Sequence, residues 1–303
     1  RDVARKIEKI HILLENAGMK SYGWEMELSW RDRIEDFNYG VRFTLADGQR
    51  KVLKYPNESG DIYSWYNNKL DGTIWGYTTV GIAQTQEEMN AHLANNKPNW
   101  GSNWGAGDIM YADLNGDGEV TSGSKTLNDH GDLKVIGNSY ARYNFGFTVD
   151  GSWRGLDFSI FLQGTMKRDY WLDGPYFWGA SGDEWQSACF TEHLDYWTPE
   201  HTNAYYPKPY FGNIKKNQEV QSGYLQNAAY LRVKNVQVGY TLPKSWTKKA
   251  AMESVRFYVS GDNLLTWTGI SSIFDPETLG GDWGPGKLYP LQRTLSVGVN
   301  VNF

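Results

Sequence analysis

The stretch of this chain best suited to chemistry is Asp113-Leu-Asn115-Gly-Asp117-Gly118-Glu119-Val-Thr121. Asp, Asn and Asp at alternate positions place three side-chain oxygens on one side of a tight loop. Gly118 permits the sharp turn, the Glu119 carbonyl points inward, and Thr121 fits the ninth position of a calcium loop. The twelfth position, where a bidentate carboxylate belongs, is Ser124. Asp129 or Asp132 would have to complete the shell from further along. Two readings follow: a structural Ca²⁺ that stiffens a loop, or a hydrogen-bonded Asx turn without metal.

The aromatic residues form a second group. The chain holds 14 Trp and 20 Tyr, and aromatics make up 15% of it. Trp65, Trp100, Trp104, Trp171, Trp178, Trp185, Trp197 and Trp283 fall in irregular segments. Indole faces stack on the apolar faces of sugar rings and have few rotamers to freeze, so as a group these residues are candidate substrate contacts. Loop packing and contact with a partner protein are the competing roles. Residues for catalysis are not evident. Asp183 and Glu184 are adjacent and would point apart on a strand. His11, His92, His130, His193 and His201 lack the i, i+4 spacing of a helical zinc site. Ser187-Ala-Cys189 has no nucleophile motif around it. The expectation is a protein that is not an enzyme; a glycoside hydrolase would need a carboxylate pair that the sequence does not offer.

The elements that must position these groups read as strands. In Thr294–Phe303, Leu295, Val297, Val299, Val301 and Phe303 alternate without a break with Thr294, Ser296, Gly298, Asn300 and Asn302, so the strand has two different faces. Its length suits a bilayer, which a tilted strand crosses in roughly 9–11 residues. Trp24, Met26, Leu28 and Trp30 alternate in the same way, and Phe37, Tyr39, Val41, Phe43 and Leu45 answer them across a short charged turn. Three hairpins are expected, at 24–45, 143–163 and 230–267, with the terminal strand at 294–303. A bulge is expected near Lys234-Asn235, where the parity of the apolar residues changes. Trp24, Trp30 and Tyr39 suit an aromatic girdle. Residues 1–23 read as an entry segment or the remnant of a preceding strand or loop, and Thr85–Leu93 as a helix.

The connections alternate short and long, with long segments at 46–142, 163–229 and 268–293. Outer-membrane barrels show this pattern, with short periplasmic turns and longer extracellular loops. Seven strands with an open edge are not a whole barrel, so the chain reads as the C-terminal part of a larger one. Composition agrees. One cysteine excludes an internal disulfide framework, a net charge of −5 gives no sign of a nucleic-acid partner, and no apolar run is long enough for a membrane helix. A mean hydropathy of −0.60 is compatible with a barrel, whose strands are only half apolar. No apolar segment of a signal peptide follows Arg1, so export implies a start that lies before this sequence. A secreted, calcium-pinned β-sandwich that binds carbohydrate is the alternative; its outward faces should carry more Lys and Glu than these strands do.

From about Asn16 onward the chain resembles the C-terminal third of the SusC/RagA family of TonB-dependent outer-membrane receptors. The motifs that carry the resemblance run in order. They include Lys20-Ser-Tyr-Gly-Trp-Glu25, Trp75-Gly-Tyr-Thr-Thr-Val-Gly-Ile82, Gly107-Asp-Ile-Met-Tyr-Ala-Asp-Leu-Asn-Gly-Asp-Gly118 and Val135-Ile-Gly-Asn-Ser139. Gly155-Leu-Asp-Phe-Ser-Ile-Phe-Leu-Gln-Gly164, Tyr230–Pro243, Tyr258-Val-Ser-Gly-Asp-Asn-Leu264, Phe274-Asp-Pro-Glu277, Tyr289-Pro290 and the final Phe303 follow. The resemblance implies an all-β, antiparallel transmembrane β-barrel of about 22 strands, plugged, with long extracellular loops and Phe303 as an outer-membrane assembly signal. It implies import of glycan (oligosaccharide) or peptide nutrients, with a SusD-like surface lipoprotein as lid and the TonB system as energy source. It also implies a dimer of receptor–lipoprotein pairs. The plug domain and the TonB box are not in this chain.

Overall fold

The computed structural model describes residues 17–179, 189–210, 216–280 and 284–303. Along the chain the strands are β1 (Gly18–Ile34), β2 (Phe37–Lys54), β3 (Thr73–Gly76), β4 (Thr79–Ile82), β5 (Lys97–Pro98), β6 (Ile109–Tyr111) and β7 (Glu119–Val120). They continue as β8 (Lys134–Asn138), β9 (Arg142–Trp153), β10 (Leu156–Lys167), β11 (Asp169–Tyr170), β12 (Gln226–Thr241), β13 (Ser254–Gly269) and β14 (Thr294–Asn302). Seven long strands form one antiparallel sheet in the order β1-β2-β9-β10-β12-β13-β14, with β11 pairing to β12. Every neighbour in that order is also the next long strand in sequence, so the wall is a meander. The sheet is open: β1 and β14 are its edges and do not pair with each other. It is one continuous layer, not the two packed layers of a sandwich.

The alternation in sequence sets the two faces. Trp30, Val41, Val149, Ile160, Val236 and Val259 lie on successive strands, and the register carries the apolar face across the sheet. That face is bare. Leu28 is 59% exposed, Val259 54% and Val297 82%. A face this apolar and this uncovered suits lipid and not water. The opposite face carries Glu27, Arg31, Arg42, Asp150, Asp157 and Arg256. Arg42 pairs with Glu27 at 2.8 Å. Two ion pairs reach over an intervening strand, Arg31–Asp150 across Gly40 at 3.4 Å and Arg256–Asp157 across Gly239 at 2.5 Å. A Cβ at Gly40 would sit 2.8 Å from the Asp150 carboxylate, and one at Gly239 2.4 Å from the Arg256 guanidinium. Glycine is what lets each pair close.

The strands run longer than their alternation suggests. β1 begins at Gly18, so residues 18–23 belong to the wall and not to an entry segment, and β2 extends to Lys54. Residues 1–16 lie outside the described residues. The bulge falls where parity changes: Val233 and Asn235 of β12 face consecutive residues Leu162 and Phe161 of β10, leaving Lys234 as the extra residue.

At the end of the sheet away from the short turns, segments 55–141, 168–179, 189–210, 216–225 and 270–280 fold together. The small pairs β3–β8 and β4–β6 are antiparallel and β5–β7 is parallel. The helix Gln86–Leu93 starts at Thr85, whose hydroxyl accepts the Glu88 N–H, while the Glu88 carboxylate accepts the Gln84 N–H. This is a reciprocal cap, shifted by one residue from the usual box. Here the large side chains are buried. Ile62, Tyr111, Phe177, Leu172, Tyr224 and Leu279 belong to one core. The cap is tied to the wall by backbone hydrogen bonds: Val52 donates to Lys69, Asn68 to Val52, Asp71 to Arg50, and Ala228 to Arg168.

Candidate functional site

The Asp113 loop is held by its own backbone. The Asp113 carboxylate accepts the N–H of Asn115 (3.0 Å), Gly116 (2.6 Å) and Gly118 (2.7 Å). The Asn115 side-chain oxygen accepts from Asp117, and Asp117 accepts from Glu119. Gly116 and Gly118 have φ of +80° and +90°, and a Cβ at either would meet nothing within 4 Å. Glycine is therefore required by backbone conformation and not by space. The N–H groups of Gly118 and then Gly116 hold the Asp113 carboxyl below the usual carboxylate range, against a smaller opposing loss of hydration.

The two further carboxylates differ in position. Asp132 is fully buried and accepts the N–H of Leu114 (2.6 Å) and Thr121 (2.7 Å), so it joins both ends of the loop. Asp129 instead accepts the Ser124 N–H and hydroxyl, at 2.9 and 2.5 Å, in the turn beyond. Ser124, in the twelfth position, is thus engaged by Asp129. Among the described residues no group of three or more His, Cys, Asp or Glu side chains is spaced to hold a metal ion.

The tryptophans of the loops are placed as follows. Trp178 and Trp197 are buried, and Trp100, Trp104 and Trp171 are partly buried against the main core. Trp100 stacks on Tyr77 with centroids 4.6 Å apart and meets Tyr111 edge-on at 5.2 Å. Trp178 contacts Phe177 at 5.1 Å and Tyr224 at 5.0 Å. The Trp197 indole N–H donates to the Gln84 side chain at 3.0 Å. Trp65 is half-buried, with the Lys69 ammonium 5.9 Å from its ring. Trp185 and Trp283 lie outside the described residues, as do His11, Asp183, Glu184 and Ser187. Among the described residues, Tyr63, Phe190, Tyr196 and Tyr205 present exposed rings in the cap, and Tyr289 does so in the segment before β14.

Two buried ionic nodes were not singled out from sequence. Asp108 and Lys216 are both almost fully buried and 2.7 Å apart. Lys216 also donates to the Asn103 carbonyl at 2.6 Å and lies 4.2 Å from the Tyr210 ring centre, and Asp108 accepts from Gly105, Asn217 and Tyr210. The node joins two stretches more than a hundred residues apart in sequence. In the second node, Arg232 meets Asp275 at 2.8 Å and Glu277 at 2.6 Å, and Lys234 meets Glu277 at 3.0 Å. The β12 bulge brings Lys234 to Glu277, which Arg232 also meets, and the segment after β13 is pinned to the polar face of the wall. The motif Phe274-Asp-Pro-Glu277 was the available sequence signal, but nothing in it names its partner.

No family model matches the chain. Relatives do. It is 26% identical to TonB-dependent receptor P3 of Formosa agariphila over 96% of this chain and 29% of that protein. It is 22% identical to TonB-dependent receptor SusC of Bacteroides thetaiotaomicron over 96% of this chain and 27% of that protein. Among solved structures, the RagAB peptide transporter matches 95% of this chain and 30% of its own, with a TM-score of 0.67 at 20% identity. The chain thus spans under a third of the length of the proteins it matches. A sheet with a bare apolar face and relatives of this kind define an outer-membrane β-barrel protein of the TonB-dependent receptor class. Within that class the chain is similar, over almost its whole length, to one portion of SusC, and its fold matches a portion of RagAB.

Proposed function

We propose that this chain supplies the C-terminal strands and much of the extracellular cap of a plugged barrel of the 22-stranded size class. The whole receptor imports oligosaccharide or peptide nutrients under a SusD-like lipoprotein, with energy from the TonB system, as a dimer of receptor–lipoprotein pairs. The observation that carries this reading is the open sheet itself. Its outward face needs lipid, and its two edges, β1 and β14, need further strands to satisfy their backbone groups in a bilayer. An oligosaccharide is the favoured cargo, because aromatic rings crowd the cap; the buried tryptophans would act by stiffening the loops, and Trp65 with the exposed tyrosines by stacking. In the same reading Asp113, Asn115, Asp117, the Glu119 carbonyl and Thr121 hold a structural Ca²⁺, with Asp132 better placed than Asp129 to complete its shell.

The test is mass spectrometry of the band carrying this sequence from outer-membrane extracts, run with and without boiling. A boiling-dependent shift, with plug peptides and a co-purifying lipoprotein, is the expected result. A soluble, heat-indifferent species of this length would overturn the reading. Uptake of defined oligosaccharides and peptides by cells carrying the receptor then decides between the two cargo classes.

A further inference from the structure

The short-turn end of the wall has a feature that transport does not use. On the apolar face, Phe37, Trp153, Leu156 and Phe158 line a crevice of about 310 Å³ at the base of β2, β9 and β10. Three of them share one register line, Phe37 opposite Trp153 and Trp153 opposite Leu156, and Phe158 stands two residues further along β10, opposite Gly151. Trp153 and Leu156 are about half exposed. At the mouth, the Arg154 guanidinium lies 5.4 Å from the Trp153 ring centre and pairs with the exposed Asp36 at 3.0 Å.

Next to this mouth stands a basic turn. The Thr241 N–H donates to the Gly155 carbonyl at 2.8 Å, so the end of β12 abuts the β9–β10 turn. Three residues on, the helical turn Lys244–Thr247 and the residues after it carry Lys244, Lys248 and Lys249 around Trp246. Trp246 is 64% exposed. None of the three lysines has an acidic partner within ion-pair distance among the described residues, and the nearest acid in sequence is Glu253. A large exposed indole flanked by free ammonium groups, beside an apolar wall, is the pattern of an interfacial anchor.

We propose that this end binds a phospholipid, its phosphate held between Lys244, Lys248, Lys249 and Arg154 and one acyl chain laid in the Phe37–Phe158 crevice. Two features fix the occupant. The crevice is continuous with the lipid-facing surface, and the cations at its mouth match an anionic phosphate. Exposed ion pairs are weak, so Asp36 is readily exchanged for the phosphate at Arg154. The inference rests on the membrane reading above and adds a side: this is the end of the short turns, which face the periplasm in such barrels, where the leaflet is phospholipid.

The experiment uses the whole receptor purified from outer membranes in mild detergent. Retained phospholipid is measured by phosphorus assay, and binding of added phosphatidylglycerol by native mass spectrometry. The wild type is expected to keep about one phospholipid per chain. The combined variant Lys244→Glu, Lys248→Glu and Lys249→Glu should lose most of it, at least several-fold, while Lys→Arg at the same positions keeps it. Leu156→Trp, which fills the crevice, should lower retention without touching the charges. The boiling-dependent shift is read on every variant, so loss of the barrel is told apart from loss of the lipid. Equal retention in wild type and the Glu variant overturns the proposal. So does a wild type that holds no phospholipid, one that retains lipopolysaccharide at this end instead, or a periplasmic protein captured through the lysines in place of lipid.

Discussion

The wall and the cap solve opposite problems with the same residue types. On the wall Trp30, Leu28 and Val259 stand bare, and the polar face carries Arg31, Asp150, Asp157 and Arg256. In the cap Phe177, Leu172 and Tyr111 are buried around a core, as in a soluble domain. The wall's apolar side chains contribute stability only where lipid is the solvent; those of the cap contribute it by leaving water. One chain therefore holds two regions that respond differently to the same perturbation.

Breaking the cap should give the largest effect. Lys216→Met leaves Asp108 as an uncompensated buried charge and is expected to cost about 3–5 kcal/mol, whereas replacing both partners with apolar residues costs far less. Limited proteolysis of the receptor in detergent would show the loops cut sooner in the single variant, with the boiling shift of the strands intact. If the double variant is cut as fast as the single one, the charge explanation is wrong. The converse break is Ile160→Arg in the middle of the lipid face, expected to cost about 2–4 kcal/mol there. Denaturant unfolding followed by the boiling shift should report it, while loop proteolysis stays slow until the strands fail. A smaller effect is expected for Thr85→Ala, about 1 kcal/mol from the lost helix cap. It should be read by local hydrogen exchange over Gln86–Leu93 alone.

The smallest effects separate the regions by pH and by cation. His92 is half-buried, and the loss of hydration pushes its pKa down from the ordinary value near 6.5 in spite of its bond to the Tyr111 carbonyl. Unfolded chain then binds the proton more readily, so the contribution of His92 is complete above pH about 6.5 and is lost as pH falls below it. Asp113 has the same sign at lower pH: its pKa is lowered by backbone N–H groups, so its contribution persists at neutral pH and goes only in strong acid. Loop proteolysis from pH 7.5 to 5.5 should accelerate in wild type and less in His92→Gln. Chelation of divalent cations should loosen residues 113–132 and nothing in the wall; a protection pattern unmoved by chelator and by added Ca²⁺ would leave the Asx turn as the full account of that loop.

The sequence made the wall far easier to read than the cap, for a physical reason. A strand with lipid on one side writes its environment into every second residue, so Leu295 to Phe303 and Phe37 to Leu45 announce their faces, and the parity change at Lys234 announces the bulge. What alternation could not show was length, since β1 and β2 continue past the apolar band, where neither face is under that constraint. The cap is built from long-range contacts. Lys216 meets Asp108 and Trp197 meets Gln84 across about a hundred residues, and nothing local in either stretch specifies the partner. The Asp113 loop lies between these cases: its spacing was legible because its ligating groups and its turn are the same few residues. The role of Asp132, which joins both ends of that loop, depends on chain return and was visible only as one of two candidates.

The uneven heights of the strands have a mechanical consequence. At about 3.4 Å per residue, the 18 residues of β2 span about 60 Å and the 12 of β9 about 40 Å. The apolar band of such a wall is only about 25 Å tall, so β2 stands well clear of it. Its upper end does not merely lead into the cap but hydrogen-bonds to it, at Arg50 and Val52, and β12 does the same through Ala228. A body clamped on two sides by backbone ladders has no hinge line. The cap is therefore built onto the wall as a cornice is built onto masonry, and it could shift as one body only by breaking the backbone bonds at Arg50, Val52 and Ala228.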